Sequence, residues 1–476
     1  MKPITQRLNN PGARIGAALA LVALLGGCAT FSEDGGTRNV AEAISARGVT
    51  QSATWIKTDA DAERVADVVR KLLAQPLGVE SAVQIALLNN RGLQARYAEL
   101  GIAEADLVQA GRLTNPGFSF GRLHRADDVE YERSYLFDLM GLITMPMRKQ
   151  IEQGRFVATQ NRVTAEVLQL AVDTRRAWIR AVSAQQAANY AEQVRASAEA
   201  SAELTRRMAS VGNFSKLDQA REQAFYAEVT AQLARTRRAA VAERETLTRL
   251  LGLWGENITY RLPDRLPDLP KDLREIKDIE RIAMQQRLDL QAAVREAESL
   301  ARSFGLTQST RYFSVLEGRY MRNSESLAPR QTGWEIELRL PIFDSGSARV
   351  ARAEYMHQQA VNRAADLAVR ARSEVRDAWN GWRTSYDLAR HYRDEVVPLR
   401  TRISEETLLR YNGMLMSVFE LLAESRQQIS AVVETINAQR DFWLADASLQ
   451  FAVSGRSPGA AMPAAAAAAP AAAQPH

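Results

Sequence analysis

The chain has 476 residues, 46% of them apolar and 25% charged, a globular profile with length for two or three ordinary domains. Its formal net charge of +5 comes from 61 Lys and Arg against 56 Asp and Glu. The two signs are interleaved with no basic block, so a nucleic-acid-binding reading has no support, and plentiful Ala, Arg, Glu and Gln favour long helices.

At the N-terminus Lys2, Arg7 and Arg14 precede an apolar run over residues 15–25. A run of about 11 residues is too short to cross a hydrocarbon core of about 30 Å, but it suits the h-region of a signal peptide. The run ends in Leu25, Gly26, Gly27 and Cys28, the last being the only cysteine of the chain. Small residues before a lone thiol at that place fit a lipoprotein cleavage box. Residues 1–27 then read as signal peptide and Cys28 as the lipidated residue, the alternative being an ordinary cleaved signal with an incidental cysteine. Ala29 follows, with no Asp to retain a lipoprotein at the inner membrane. As in other lipoproteins, this points to the outer membrane. Residues 28–75 read as a tether, polar and Gly-containing between 30 and 58. Residues 456–476 are nearly all Ala and Pro, a composition that cannot bury a core, and they are expected to form a disordered tail.

The body between them is one unit written twice, over residues 76–261 and 262–455. Residues 86–95 (ALLNNRGLQA) resemble 283–292 (AMQQRLDLQA), and Gly212 and Gly413 each follow a tryptophan, Trp178 and Trp379, by 34 positions. Pro263, Pro267 and Pro270 break any helix at the junction. Each unit reads as helix, two strands, very long helix, sharp turn, helix. The first unit gives a helix over about 80–113, a long helix over about 148–211 and a return helix over about 216–251. The second gives about 277–308, 345–410 and 418–453. Along the long helices Val163, Val167, Leu170, Thr174, Ala177 and Ala181, and then Val361, Ala364, Ala368, Ala371, Val375, Ala378 and Trp382, alternate spacings of 4 and 3. That is the heptad pattern of coiled-coil packing, with small Ala knobs that let axes approach closely. Pro398 is expected to bend the second long helix or mark a defect in it. A helix of about 64 residues extends about 96 Å, and two half-rods of about 35 residues laid end to end match it.

Between half-rod and long rod lie segments of period two. Trp334, Ile336, Leu338 and Leu340 oppose Glu335, Glu337 and Arg339. Tyr135, Phe137, Leu139, Ile143 and Met145 oppose Asp138 and Thr144. Phe118 and Phe120 flank Ser119, and Tyr312, Leu316 and Tyr320 oppose Glu317 and Arg319. One apolar and one charged face fit transmembrane β-barrel strands, with polar outer loops over 123–133 and 321–332. A small soluble sheet packed on the helices fits the alternation equally well. The lipid anchor favours the membrane, and four strands cannot close a barrel without leaving backbone edges in hydrocarbon. Three chains would supply twelve strands. The fold class expected is therefore mainly α with a small β part. Duplicated strand–long-helix units form, as a trimer, a 12-stranded transmembrane β-barrel continued by a periplasmic α-helical barrel.

The architecture, together with the segments LLNNR (87–91), TNP (114–116), LPIFD (340–344), RYNG (410–413) and SVFELL (417–422), resembles the TolC-type outer-membrane efflux family in its lipoprotein branch. The resemblance covers about 76–455. It implies a homotrimeric duct that docks a periplasmic adaptor and an inner-membrane pump to export drugs, small molecules or metal ions. It also implies adaptor-docking tips at Gly212, Asn213, Asn412 and Gly413, and an acidic pore constriction at Glu420, with Asp218 in the comparable place of the first unit. Ala423 stands where a second acidic ring would be, and Glu424 beside it points about 100° away. The outer component of type I protein secretion shares this architecture, and a periplasm-spanning lipoprotein without a pore is the structural alternative. His124, His357, His391 and His476 are isolated, and no phosphate loop or nucleophile elbow is present, so neither an enzyme nor a cofactor beyond the lipid on Cys28 is expected. Met140, Met145, Met147, Met414 and Met416 could bind Cu(I), but gap-filling in apolar regions is the plainer reading of methionine.

Overall fold

The computed structural model of the chain describes residues 30–455 except 52, 126–127, 213–214, 274–276, 313–314, 327 and 339–341. The signal segment 1–27, Cys28 and the tail 456–476 lie outside the described residues. After α1 (Thr37–Ser45) and α2 (Asp59–Leu73), the first unit runs α3 (Val79–Asn89), α4 (Arg91–Ala110), β1 (Gly117–Arg125), β2 (Asp128–Asp138), α5 (Leu139–Ser210) and α6 (Lys216–Leu251). The second runs α7 (Ile279–Gln286), α8 (Leu288–Ser309), β3 (Leu316–Glu325), β4 (Gln331–Leu338), α9 (Ser347–His391), α10 (Val397–Asn412) and α11 (Val418–Ser454). The same order of helices, two strands, long helix and return helix occurs in both halves of the chain. The heptad residues Val163, Val167, Thr174, Ala177 and Ala181 are buried on α5, as are Ala371, Val375 and Trp382 on α9. Pro398 lies at the start of α10, directly after a single π-turn, Tyr392–Val396, that joins α9 to α10. The wider turn accommodates a residue that cannot donate to the helix ladder.

Four features differ from the sequence reading. The long first rod starts nine residues earlier than expected, so Leu139, Ile143 and Met145 are helical and not part of a strand. The Asp138 carboxylate accepts the Gly141 N–H at 2.6 Å, an N-cap that turns the chain into a helix where period-two alternation would continue it as strand. Each half-rod before the strands is broken once, at Asn90 and at Arg287, which correspond in the repeat. Both carry extended ψ angles, 115° and 121°. Asn90 caps α4 through Leu93 N–H, and its amide donates to the Leu250 carbonyl at 2.9 Å, while Asn89 donates to Leu251 and Gly252 carbonyls at 3.0 and 2.8 Å. The orphan carbonyls at the end of α6 are thereby satisfied by the break in the neighbouring half-rod, and this is where the half-rods meet.

The third difference is the N-terminal segment, which is folded onto the body. Val40 and Ile44 are buried in one cluster with Tyr97, Leu100, Val163 and Val167. Trp55 stacks on Tyr97 with centroids 6.5 Å apart, and the Ser32 N–H donates to Glu104 at 2.6 Å. The linker between the units lies at the height of the half-rod junction. Tyr260 and Leu266 are buried against Leu77, Trp178, Val182 and Leu247. Trp178 donates to the Leu77 carbonyl at 2.7 Å, and Trp443 to that of Pro267 at 3.0 Å.

The strands form one antiparallel sheet in the order β1-β2-β3-β4. Its central pairing, β2 with β3, joins the two units. The ladders run to Arg125↔Asp128 and Asn323↔Gln331, so the hairpin connections are shorter than the polar stretches 123–133 and 321–332 implied. Polar side chains do not stop a ladder that is built from backbone groups.

Candidate functional site

The sheet has two chemically distinct faces. Register places Phe118, Tyr135, Tyr320 and Trp334 in one row across all four strands, and the rings of Phe118 and Tyr135 lie 5.2 Å apart. Phe137, Ile336 and Leu338 share that face, and these side chains stay exposed, Trp334 to 76%. The other face carries Glu130, Glu132, Glu317, Glu325, Glu335 and Glu337, with Asp128 and Asp138. Ser119 and Ser134 meet there at 2.7 Å, and Arg319 pairs with Glu335 at 3.5 Å. Among the described residues β1 and β4 have no partner on their outer sides.

At the far end of α5, 72 residues or about 108 Å away, the rods turn back. Gly212 adopts φ +81°, a left-handed conformation suited to glycine. In the second unit Asn412 is the last residue of α10 and Gly413 has an ordinary φ of −80°, and the left-handed residue is Met414 at φ +57°. Its N–H and that of Leu415 return to the Tyr411 and Arg410 carbonyls, at 3.0 and 2.9 Å. Val211, Met414 and Leu415 are 70%, 94% and 81% exposed. Asn213 lies outside the described residues.

Both candidate gate carboxylates are third residues of helices that begin with serine. Ser417 N–H and hydroxyl donate to Glu420 at 3.0 and 2.9 Å, and the Glu420 N–H returns to the hydroxyl, a capping box. The bonds from Ser417 hold the Glu420 carboxyl below its usual value. Asp218 accepts from the Ser215 hydroxyl and also pairs with Arg221 at 3.0 Å. Glu424 pairs with Arg400 at 3.2 Å.

No family model matches the sequence, and no curated protein matches it. Solved structures do. The outer-membrane channel OprN aligns with a TM-score of 0.69 at 18% identity, over 85% of this chain and 97% of its own. CusC, which forms a transmembrane channel, gives 0.66 at 16% identity over 80% and 92%. VceC, an outer-membrane protein of Vibrio cholerae, gives 0.66 at 15% identity over 79% and 96%. The fold is that of the TolC-type outer-membrane efflux channels.

In this TolC-type frame the helical tips carry one contact that sequence reasoning missed. Glu222, one turn past Asp218, is buried, accepts from the Ser201 hydroxyl at 3.1 Å and pairs with Arg426 of α11 at 2.6 Å. The Arg426 guanidinium lies 4.2 Å over the Phe225 ring. The pair ties the two return helices together across 204 sequence positions, a separation at which no local pattern signals a contact. The five methionines weighed for Cu(I) divide between the first turns of α5 (Met140, Met145 and Met147) and the tip (Met414 and Met416). Among the described residues no group of three or more His, Cys, Asp or Glu could hold a metal ion.

Proposed function

We propose that three copies of this chain close a twelve-stranded barrel in the outer membrane and continue it as a helical duct through the periplasm. The duct is the outer channel of an efflux system that exports drugs, small molecules or metal ions with a periplasmic adaptor and an inner-membrane pump. The observation that carries this reading is a four-stranded sheet with two open edges, one aromatic face and one carboxylate face. Open edges are not tolerated in hydrocarbon, so neighbouring chains must pair them. Two chains would give an eight-stranded barrel, which side chains fill, whereas three leave a lumen, lined here by the carboxylates. Apolar side chains left uncovered on α9, Tyr355 and Val369, suit contact between neighbouring rods.

A lipid on Cys28 fits the same frame. Ser32 is bonded to Glu104, six residues before the end of α4. Four residues reach up to about 14 Å and six helical residues rise about 9 Å, so Cys28 can attain the level of the sheet's lower end. At the opposite end the exposed turns at Gly212 and at Asn412 and Gly413 present Val211, Met414 and Leu415 to an adaptor. Glu420, with no ion pair among the described residues, is the stronger constriction residue, and Asp218 is partly neutralised by Arg221. Electron microscopy of the lipidated protein in mild detergent, averaged without imposed symmetry, tests the proposal. The expected result is a three-fold hollow cylinder about 100 Å long below a short barrel. A solid rod or a monomer would overturn it.

A further inference from the structure

Beyond the aromatic row, on the same face and toward the hairpin ends of the strands, lie Arg122, Arg133 and Arg322. Arg133 and Arg322 are directly opposed across β2 and β3, and Arg122 faces Tyr131. The guanidinium of Arg122 sits 5.8 Å over the Tyr131 ring, with its Nη2 3.4 Å from His124 Nε2, and that of Arg133 sits 6.0 Å over Phe120. Like charges directly opposed across strands repel. Every carboxylate of the described strands is on the other face, and none of the three arginines forms an ion pair among the described residues. A sheet that pairs Arg319 with Glu335 on one face and leaves three arginines together on the other is complementary to an external anion.

The depth of the row decides which anion. If the strands alone spanned the membrane, Arg133 and Arg322 would lie near its middle, facing lipid at high cost. The first turns of α5 remove that difficulty. Leu142, Ile143 and Met147 are exposed there, and Arg148 and Lys149 follow. Five residues of β2 below Arg133 give about 16 Å and nine residues of α5 about 13 Å. With strand tilt they match an apolar band about 25 Å tall. The three arginines then lie at its outer boundary, at the level of headgroups.

We infer that Arg122, Arg133 and Arg322 form a binding site for a phosphate-bearing lipid headgroup of the outer leaflet. Planar guanidinium groups held over aromatic rings present paired N–H donors to phosphate oxygens, and the apolar row below receives the acyl chains. The inference rests on the barrel reading proposed above. The test uses the full lipidated channel in detergent, with bis-phosphorylated lipid A as probe and native mass spectrometry as readout. The R122Q/R133Q/R322Q variant should bind the probe at least tenfold more weakly, while Arg319→Gln on the carboxylate face should bind as the parent does. Inorganic phosphate should not displace the lipid. Undiminished binding by the triple variant, or displacement by inorganic phosphate, overturns the inference. Conductance of the same samples in planar bilayers separates the two readings. A parent that conducts beside a triple variant that still binds lipid A defeats only the lipid site. A parent that does not conduct defeats the channel and this inference with it.

Discussion

Glu420 and Asp218 sit at the same distance from a helix start, yet their electrostatics differ. Asp218 shares its charge with Arg221, whereas among the described residues Glu420 accepts only from Ser417. A carboxylate ring in a narrow pore favours cations. In planar bilayers Glu420→Gln should therefore move the reversal potential toward non-selectivity more than Asp218→Asn does, and an unchanged potential for Glu420→Gln would remove it from the constriction. The bonds from Ser417 favour the ionised form, so in the parent the cation preference should persist to below pH 4.5, the ordinary glutamate value, and fade only in stronger acid. Burial ranks the ion pairs in the same residue-by-residue way. Arg287 is fully buried, with Asp289 at 2.7 Å and Glu374 at 2.8 Å. Arg287→Ala removes the buried guanidinium that pairs with both Asp289 and Glu374 and should cost about 3–5 kcal/mol. Arg376 holds Glu280 at 3.3 Å on the surface, and its replacement by Ala should cost about 1 kcal/mol or less. Thermal unfolding of the two variants should differ by several degrees, and equal midpoints would refute the ranking.

Elements ended by their own residues were legible in the sequence. α6 ends at Leu251 before a left-handed Gly252, and α11 begins at Val418 after the Ser417 cap, each within a residue or so of the boundary that heptad spacing and caps imply. Elements decided by distant contacts were not. Residues 139–147 (LMGLITMPM) alternate well enough for a strand, and the Asp138 cap tips them into a helix. The breaks at Asn90 and Arg287 depend on partners in α6, α9 and α11 that lie from 87 to 165 positions away. The N-terminal segment looked like a loose tether because few residues anchor it, chiefly Val40, Ile44, Trp55, Val65 and Val69. Of the candidate site, the left-handed Gly212 turn was readable as a local motif, and the left-handed Met414 was not. The Glu222–Arg426 pair was not, because its halves belong to different units. The half-rod junction can be tested at Gly252. Its φ is +65°, and an added Cβ would lie 2.8 Å from the Asn89 carbonyl oxygen. Gly252→Ala should destabilise the chain by more than about 1 kcal/mol, since left-handed strain and the clash act together. An unchanged melting midpoint would mean the junction is looser than the Asn89 and Asn90 bonds suggest.

At the scale of the whole molecule the sheet is incomplete in a way the helices are not. The rods bury their heptad faces within one chain, through contacts of α5 with α6 and of α9 with α8 and α11. β1 and β4 instead present free ladders on a sheet whose aromatic face suits hydrocarbon, so assembly should be driven at the membrane end first. Closure by identical chains is heterologous, β4 of one subunit against β1 of the next, and it must end in a ring. Cysteine pairs across that seam would report it. Ser119→Cys on β1, combined in turn with Gln331→Cys, Gly333→Cys, Glu335→Cys or Glu337→Cys, all on its own face of the sheet, samples the possible registers. At least one pair should give covalent trimers, and no larger species, on oxidation of intact outer membranes. Within one chain β2 and β3 separate these positions, so an intrachain disulfide cannot imitate the result. If no pair cross-links, or if dimers alone accumulate, three chains do not share the barrel.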